Sequence, residues 1–586
     1  MTGKIKSFLY ENKKRYVKGA IALLLINVLQ VTIPKITGKL IDSVQIGSIG
    51  TGGVVMYSSL VVAVAAAIFG LNYLTRLQIM GASLLFQYQT RNHIFNHLEK
   101  LSTRFFNKNT TGDIMALSVN DVSAVRMALG RGVNLIIDTL FLLILSLVTM
   151  GNTISIKLTL IAFLPFPLLI LIAGNFGIII NKRFKMVQES FGNLTTKVQE
   201  NISGIRVIKA FVQEKEEIEN FKKVNRANYE INMKLVKTWG AFYPLTEFLT
   251  SASYLIVLVY GSTLVLKGEI TLGDFIALNS YIGVLVRPIR FIGSIVNVIQ
   301  KGRASMERIE KLFGEKSEVF DSIKENAVNY KIKREDFKLE GTVDFKNLTF
   351  RYSNEQKPVL KDINLSLKKG KITAVVGKVG SGKSTLANLV LRLYNPLEKG
   401  QLLIDGTDIT EIPLKTLRSS IGYVPQDNFL FSQSIKDNIA FSEKEYSMEE
   451  IKEAAKISQI YQSILDFPDG FNTVLGERGV NISGGQKQRI SIARAIIGNP
   501  SILILDDCLS AVDTSTESKI LKELKDIMKN CSCLIISHRI STIKYADEIV
   551  LLDEGSIAER GTHNDLIELG GLYYEMYKKQ ILEESN

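Results

Sequence analysis

The hydrophobic residues of this chain are grouped in long apolar segments in the first half and in short ones in the second half. A helix of about 20 apolar residues crosses a bilayer core of about 30 Å. Six segments are predicted to cross a membrane, at residues 19–33, 54–74, 132–151, 158–181, 246–266 and 270–298. Arg287 and Arg290 interrupt the last of them. The pattern predicts an all-α membrane domain of six helices.

The connections between these segments differ in length and in charge. The short ones contain only Lys157 and Lys267 as basic residues and lie near residues 42–53, 150–157 and 261–272. The long ones, 76–131 and 182–237, are rich in Lys and Arg and have helical periodicity. Basic connections stay on the cytoplasmic side of a membrane. We therefore expect a cytoplasmic N-terminus, and membrane helices that continue into the cytoplasm.

Two histidines in the first long connection raise the question of a metal site. His93 and His97 are one helical turn apart and could chelate a metal ion. Because no third ligand is nearby in the sequence, a place on the helix surface or in helix packing is the favoured interpretation.

The composition changes after residue 313. A charged stretch without apolar periodicity follows, and from residue 341 predicted strands and helices alternate, as in α/β domains. The predicted domains are a transmembrane domain at 1–313, a linker at 314–340 and an α/β domain at 341–586. A net charge of +13 over 586 residues is compatible with nucleic acid, an anionic membrane face or an anionic small ligand. The three cysteines, all in the last third, do not suggest a disulfide framework.

The α/β domain contains a glycine-rich turn between a predicted strand and a predicted helix, in "ITAVVGKVGSGKSTLANLVLRLY". Its backbone N–H groups are suited to surround phosphates at the helix N-terminus. In this pattern Lys383 reaches the β- and γ-phosphates and Ser384 ligates Mg²⁺. The candidate ATP-binding residues here are Gly377, Lys378, Val379, Gly380, Ser381, Gly382, Lys383, Ser384 and Thr385. The strand before and the helix after the turn argue against an ordinary glycine turn.

Two later segments complete the expected nucleotide site. The apolar strand "SILILDD" ends in Asp506, whose carboxylate is expected opposite the glycine-rich turn, where it holds Mg²⁺ through water. In "NISGGQKQRISIARAI", Ser483, Gly484 and Gly485 precede a basic amphipathic helix, which is another N-terminus suited to an anion. The second domain is therefore predicted to be an α/β P-loop ATPase.

With these motifs the chain resembles an ATP-binding cassette (ABC) transporter, of the exporter half-transporter type with fused membrane and ATPase domains. The resemblance covers essentially the whole chain. The family's signature LSGGQ reads ISGGQ here, at Ile482, Ser483, Gly484, Gly485 and Gln486. "FFNKNTTGDIMALSVNDV" and "SGIRVIKAFVQE" resemble the two cytoplasmic coupling segments of the family, although these matches are less specific.

The resemblance implies roles for further residues. Tyr352 matches the aromatic residue that stacks on adenine, with a place in the strand core as the alternative. Gln426 matches the glutamine that senses Mg²⁺ and contacts the membrane domain, and His538 matches the switch histidine that contacts the γ-phosphate. Ser510 to Asp513 match the D-loop. Residues 473–479 resemble the exporter cross-loop, although Val474 and Leu475 depart from the usual Glu-Val.

One catalytic position departs from the family pattern. Asp506 matches the Walker B aspartate of the family. The residue after it is usually a glutamate that polarises the attacking water, and here it is Asp507. Its arm is one methylene shorter, and a misplacement of about 1 Å can cost on the order of 10²-fold in rate. Either the backbone shifts and Asp507 still works, or this site binds ATP and hydrolyses it slowly. The second reading is favoured.

A nearly intact signature beside an impaired Walker B motif predicts one subunit of a heterodimer. The resemblance is strongest to the shorter subunit of bacterial heterodimeric multidrug exporters, whose partner carries the glutamate. Expected ligands and partners are ATP, Mg²⁺, the second subunit, membrane lipid and a small amphipathic substrate, but no nucleic acid. The protein is expected in the bacterial plasma membrane with its ATPase domain in the cytoplasm. A lipid flippase, a peptide exporter and an ATP-gated channel or regulator remain alternatives.

The sequence leaves the substrate open. Asp138 and Glu247 lie within apolar segments, where ionisable residues are costly and often functional. They could attract cationic drugs or form hydrogen bonds between helices, and the sequence does not decide between these roles.

Overall fold

The computed structural model describes residues 2–585 except 322–338, 354–356, 477–478 and 480. The chain forms two compact units. The first contains Met1–Leu98 and Thr111–Glu315, and the second contains Glu99–Thr110 and Lys316–Asn586. The domain boundaries proposed from the sequence stay predictions, and most of the predicted linker lies outside the described residues.

The first half of the chain is helical. Its helices are α1 (Thr2–Glu11), α2 (Lys13–Gln45), α3 (Thr51–Thr75), α4 (Gly81–Leu98), α5 (Thr103–Lys108), α6 (Thr111–Ala116), α7 (Val122–Met127), α8 (Val133–Thr153), α9 (Ile156–Phe163), α10 (Pro165–Ser203), α11 (Ile205–Ala210), α12 (Glu214–Ile256), α13 (Ser262–Leu266) and α14 (Leu272–Gly314). Short π-helical turns join several of these into longer rods, at Arg76–Met80, Leu117–Asp121, Ala128–Gly132 and Val257–Gly261.

Several of these rods can cross a membrane. Among the described residues, five are long and apolar enough: Lys13–Gln45, Thr51–Leu98, Thr111–Thr153, Ile156–Ser203 and Glu214–Leu266. The sixth predicted span corresponds to a shorter apolar stretch, Leu272–Val286, at the start of α14. The six predicted segments therefore correspond to the long helices of this unit.

Close packing of α2 against α14 organises one end of this unit. A Cβ on Gly273 would lie 2.1 Å from the carbonyl oxygen of Gly38. Asp42 on α2 accepts hydrogen bonds from the Gly273 N–H at 2.6 Å and from the Thr271 hydroxyl at 2.7 Å. The carboxylate thereby satisfies backbone and side-chain donors at the start of α14. Near the middle of α2, the buried Tyr281 hydroxyl donates to the carbonyl of Val31 at 2.9 Å.

Among the described residues, the second unit contains α5, two sheets, ten further α-helices and a short 3-10 helix at Gly470–Asn472. The strands are β1 (Val343–Phe350), β2 (Leu360–Leu367), β3 (Ile372–Gly377), β4 (Leu402–Ile404), β5 (Thr407–Asp408), β6 (Ile421–Val424), β7 (Ile502–Asp506), β8 (Ser532–Ile536), β9 (Glu548–Asp553) and β10 (Ser556–Gly561). The helices are α15 (Lys383–Val390), α16 (Leu414–Ser419), α17 (Ile435–Ile439), α18 (Met448–Ile457), α19 (Tyr461–Leu465), α20 (Gly484–Ile496), α21 (Thr514–Met528), α22 (Ile540–Ile543), α23 (His563–Leu569) and α24 (Leu572–Ser585).

The larger sheet has the order β10-β9-β3-β8-β7-β6, and the smaller, antiparallel sheet has the order β2-β1-β4-β5. In the larger sheet β9, β3, β8, β7 and β6 are parallel, and β10 is antiparallel. Both faces of β7 are buried: Leu503 and Leu505 join one core, whereas Ile502 and Ile504 join the other. This explains the continuous apolar run, because a parallel strand covered on both faces does not alternate with polar residues. The predicted combination of a helical membrane domain and an α/β domain is confirmed.

Candidate functional site

The parallel strands bring the predicted nucleotide-binding residues to one edge of the sheet. In the register, Val375 of β3 pairs with Ile536 of β8, which pairs with Asp506 of β7. The glycine-rich turn follows β3, His538 lies two residues beyond β8, and Asp507 follows β7. The carboxyl ends of parallel strands form the ligand-binding edge in open α/β sheets.

The glycine-rich turn has a backbone that side chains would obstruct. Gly377 and Gly382 have φ values of 155° and 101°. A Cβ on Gly377 would lie 2.2 Å from the carbonyl oxygen of Leu552, and one on Gly382 would lie 2.7 Å from a methyl group of Leu360. The tip residues 378–380 are exposed, whereas residues 381–383 are buried at the start of α15. The turn is thus an open cradle of backbone groups at a helix N-terminus.

Lys383 is held across the inside of this turn. Its ammonium group donates to the carbonyl oxygens of Gly377 at 2.9 Å and Lys378 at 2.8 Å, and only 6% of the residue is exposed. Burial lowers the pKa of Lys383, and the charges of Asp506 and Asp507 oppose that shift. The lysine therefore has anionic neighbours and is positioned by the loop it belongs to.

Asp506 and His538 lie within the same electrostatic cluster. Burial raises the pKa of Asp506, while a hydrogen bond from Ser384 and the charges of Lys383 and His538 lower it. Burial, followed by the charge of Lys383, lowers the pKa of His538. A lowered pKa leaves the imidazole neutral at neutral pH, so one ring nitrogen can donate and the other can accept.

Asp507 is half-buried and has a left-handed backbone conformation, with φ of 47°. Its N–H donates to the carbonyl of Ile536 at 2.8 Å, and its carbonyl accepts from the Ser510 hydroxyl at 3.1 Å. Aspartate tolerates this region better than most residues with a Cβ. The main chain on both sides of the carboxylate is therefore held by specific hydrogen bonds.

Tyr352 belongs to an aromatic group beside α15. Its hydroxyl is 3.0 Å from the Thr385 hydroxyl, and its ring lies 5.0 Å from the ring of Tyr394 and 5.2 Å from that of Phe350. Tyr352 is partly buried and packs against the hydrophobic core that contains Phe350 and Tyr394. The structure thus places Tyr352 against the helix that begins at the glycine-rich turn.

The signature residues form the N-terminus of α20. Ser483 caps the helix in a reciprocal arrangement, in which the Gln486 N–H donates to the Ser483 hydroxyl at 3.3 Å and the Ser483 N–H donates to the Gln486 side chain at 2.9 Å. Ile482 is buried, whereas Ser483 and Gly484 are exposed.

The D-loop packs directly on the signature helix. Gln488 donates to the Ser510 hydroxyl at 3.2 Å and accepts from the Ala511 N–H at 3.0 Å. A Cβ on Gly485 would lie 2.9 Å from the Ala511 carbonyl oxygen. Asp513 caps α21 by accepting from the Thr516 N–H at 2.9 Å, and this bond holds the pKa of Asp513 well below its usual range.

The sequence interpretation missed two residues that hold the loop containing His538. Arg539 donates to the carbonyl of Ser510 at 2.8 Å and pairs with Glu517 at 3.3 Å. Gln580 on α24 donates to the carbonyl of His538 and accepts from the Ile540 N–H at 2.9 Å. Arg539 could have been flagged by its place beside His538. Gln580 is 42 residues away and carries no local signal.

The remaining predicted residues lie at the end of β6 beside β7, in helix packing, or only partly within the described residues. Gln426 is exposed just beyond β6. In the cross-loop, the Leu475 N–H donates to the Gln433 carbonyl at 3.0 Å, whereas 477 and 478 lie outside the described residues. His97 makes a 2.9 Å hydrogen bond with the carbonyl of Leu312, which is a packing contact. No group of three potential metal-binding His, Cys, Asp or Glu side chains occurs in the described part of the chain.

Comparison with known proteins agrees with this arrangement. The model of the ABC transporter transmembrane region matches residues 17–289, and that of the ABC transporter family matches residues 360–510. The chain is 38% identical over 568 residues to the "Probable multidrug resistance ABC transporter ATP-binding/permease protein YheI" of Bacillus subtilis (strain 168), covering 97% of this chain and 95% of that protein.

Two further similarities concern other members of the same group. The chain is 35% identical over 494 residues to the ATP-dependent lipid A-core flippase of Syntrophus aciditrophicus (strain SB), covering 84% of this chain and 80% of that protein. It also resembles the structure of a bacterial Atm1-family ABC exporter with ATP bound, with a TM-score of 0.78, 27% identity and coverage of 97% and 99% of the two chains. The chain therefore belongs to the ABC transporter family: it is a multi-pass integral membrane exporter of the bacterial plasma membrane, and its ABC ATPase domain, on the cytoplasmic side, binds ATP and couples its hydrolysis to transport.

Proposed function

We propose that this chain is one half of a heterodimeric exporter with one degenerate and one competent ATP site, which moves amphipathic drugs or lipid-like compounds out of the cytoplasm or inner leaflet. The proposal depends on one observation: the residue after Asp506 is Asp507, whereas the family pattern has a glutamate at this position. The hydrogen bonds that hold its main chain to Ile536 and Ser510 support this reading, because a backbone shift toward the phosphate would break them.

The residues at the sheet edge fit ATP with Mg²⁺. The buried hydroxyl of Ser381 has no hydrogen-bond partner within the described residues. At Gly377 and Gly382 a side chain would collide with neighbouring atoms, so backbone groups line the turn there. Ser384 and Asp506 provide hydroxyl and carboxylate oxygens, the ligand type that Mg²⁺ prefers. When bound, Mg²⁺ would supply positive charge that offsets the negative charge of the nucleotide phosphates.

Each side chain of this cluster has a role in the proposal. Lys383 neutralises the β- and γ-phosphates, and Tyr352 stacks on the adenine. Ser384 and Gln426 would ligate Mg²⁺, and Asp506 would hold it through water. His538 contacts the γ-phosphate as a neutral imidazole. Asp507 orients the attacking water poorly, so hydrolysis at this chain's own site is slow.

The signature of this chain acts on the partner's ATP in this proposal. The exposed N-terminus of α20 supports the assignment, since its capped first turn presents backbone N–H groups that suit an anion. The second coupling segment also has a surface suited to a partner. Phe211 and Val212 are 71% and 78% exposed, and Val212 has φ of 55°, which is strained for a β-branched residue. Large exposed apolar side chains at such a tip favour coverage by another subunit.

The substrate assignment rests on ionisable residues within the membrane helices. Glu247 is exposed on α12, and Asp138 is partly buried on α8. We propose that Glu247 attracts cationic amphipathic compounds. Lipid transport is the second candidate, and it is supported by the similarity to a lipid A-core flippase.

A transport assay on the assembled complex distinguishes drug export from lipid transport. This chain and a glutamate-bearing half-transporter are reconstituted together, and ATP-dependent movement of a cationic dye and of a labelled phospholipid is measured. Dye transport that falls in Glu247→Gln but not in Glu216→Gln, an exposed control on the same helix, supports drug export. Movement of the phospholipid alone supports the flippase. Movement of neither would contradict both.

A further inference from the structure

The loop that carries His538 is bound by a side chain from α24. This loop, residues 537–539, joins β8 to α22. The side-chain amide of Gln580 donates to the carbonyl of His538, and its oxygen accepts from the Ile540 N–H at 2.9 Å. One side chain therefore satisfies both an acceptor and a donor of the main chain from His538 to Ile540. An apolar side chain at this position could cover the core but could make neither bond.

The start of α24 is fixed to the edge of the larger sheet. The carboxylate of Glu559 on β10 accepts from the N–H groups of Leu572 and Tyr573, the second at 3.0 Å. A Cβ on Gly571 would lie 2.2 Å from the same carboxylate, so the chain passes very close to it. A carboxylate that binds the free N–H groups of a first turn holds a helix at its beginning. The axial position of α24 is thereby set by β10.

The rotation of α24 is set by its buried face. Tyr573 is fully buried, and its hydroxyl is 2.8 Å from a ring nitrogen of His563. Tyr577 packs partly buried against the same core, which also contains Ile540. Tyr573, Tyr577 and Gln580 are spaced i, i+4 and i+7, so they share one face of the helix. The packing that buries this face therefore also directs Gln580 toward the loop.

We propose that Gln580 is a positioning residue for His538, and that α24 thereby contributes to the preference of this site for ATP over ADP. An imidazole nitrogen must lie within about 3 Å of a phosphate oxygen to form a hydrogen bond, and a loop fixed in advance lowers the cost of that contact. ADP lacks the phosphate that His538 contacts, so its binding does not depend on where the imidazole lies. This inference rests on the proposed contact of His538 with the γ-phosphate.

The test measures nucleotide binding to the full-length chain in lipid nanodiscs, with Mg²⁺ in all samples. The two ligands are ADP and the β,γ-imido analogue of ATP, which is not hydrolysed. Gln580→Leu removes both hydrogen bonds and keeps most of the side-chain volume. We expect it to weaken binding of the ATP analogue about tenfold, the order expected for one lost hydrogen bond to a charged group, and to leave ADP binding unchanged. Lys579→Leu, at the exposed neighbouring position on α24, is the control and should change neither.

A double variant tests whether Gln580 acts through His538. His538→Ala should cause the same selective loss, and adding Gln580→Leu to it should cause no further loss. An additional loss in the double variant, or equal weakening of both ligands by Gln580→Leu, would show a role in general stability and overturn the inference.

The variant His538→Ala also separates this inference from the proposed site. If His538→Ala weakens only the ATP analogue while Gln580→Leu binds both ligands like the unmodified chain, the role of Gln580 is wrong and the proposed site stands. If His538→Ala affects both ligands equally or neither, the assignment of the histidine is wrong, and the inference about Gln580 is overturned with it.

Discussion

At the residue scale, the proposal of a slow ATP site depends on the reach of the Asp507 side chain. Aspartate is one methylene shorter than glutamate, and the main chain of Asp507 is held in a left-handed conformation by two hydrogen bonds. In the slow-site proposal this carboxylate has the chemistry of the usual glutamate but does not reach the attacking water. Distance is expected to limit the rate here, because a misplacement of about 1 Å costs on the order of 10²-fold.

Asp507→Glu should therefore increase hydrolysis at this chain's site, by up to about 10²-fold. The gain will be partial if the signature supplied by the partner is itself degenerate. It is measured as ATPase activity of the assembled complex after the partner's catalytic glutamate has been replaced by glutamine. Asp507→Asn in the otherwise native complex should leave transport nearly intact. If Asp507→Asn stopped turnover instead, Asp507 would be a working catalytic base and the slow-site proposal would be wrong.

Lys383 provides a second test at the residue scale. Lys383→Ala removes a buried ammonium group that the glycine-rich turn holds in place, so nucleotide binding to this chain should weaken strongly. Because this site is proposed to be the slow one, overall ATP turnover should fall only partly, whereas the equivalent change in the partner should abolish it. Lys529→Ala, at an exposed lysine paired with Asp526, is the matched control. Complete and equal loss from the changes in both subunits would indicate two competent sites.

At the scale of elements, the contact between α2 and α14 depends on two glycines. Gly273→Ala would place a Cβ 2.1 Å from the Gly38 carbonyl oxygen and 2.5 Å from the Asp42 carboxylate. Overpacking of this kind costs about 1–3 kcal/mol, so thermal unfolding should shift to a lower temperature. Gly174→Ala on α10, where no atom lies within 4 Å of the added carbon, should be neutral or slightly stabilising. Equal shifts in the two variants would show that the close approach is not needed for stability.

At the scale of the whole molecule, the proposal requires an unlike partner. Purified alone, the chain should have little ATPase activity, since each site is completed by the signature of the other subunit. Co-expressed with a glutamate-bearing half-transporter, it should copurify in a one-to-one complex with drug-stimulated activity. Size-exclusion chromatography and ATPase assays measure both. A stable homodimer with full drug-stimulated activity would overturn the heterodimer.

The pattern along the chain predicted the features whose cause is local. An apolar segment long enough for a bilayer must be helical, because its backbone groups have no other partners in lipid. Likewise, the glycine-rich turn between strand and helix is recognisable because positive φ values and close backbone approach require glycine at fixed spacing. The membrane helices, the α/β domain and the residues of the nucleotide cluster could therefore be named without coordinates. The sixth predicted span lies almost entirely within α14 (Leu272–Gly314), whose apolar stretch among the described residues is Leu272–Val286.

Only the tertiary structure decided which residues far apart in the sequence contact each other. Gln580 holds the loop of His538, Asn107 reaches Tyr394 across 287 residues, and Gly273 meets Gly38. Glutamine, asparagine and glycine are common on surfaces and in turns, so their identity alone carries no signal for these roles. Their function depends on which backbone or ring lies opposite, and that neighbour is determined by the folding of segments far apart in the sequence.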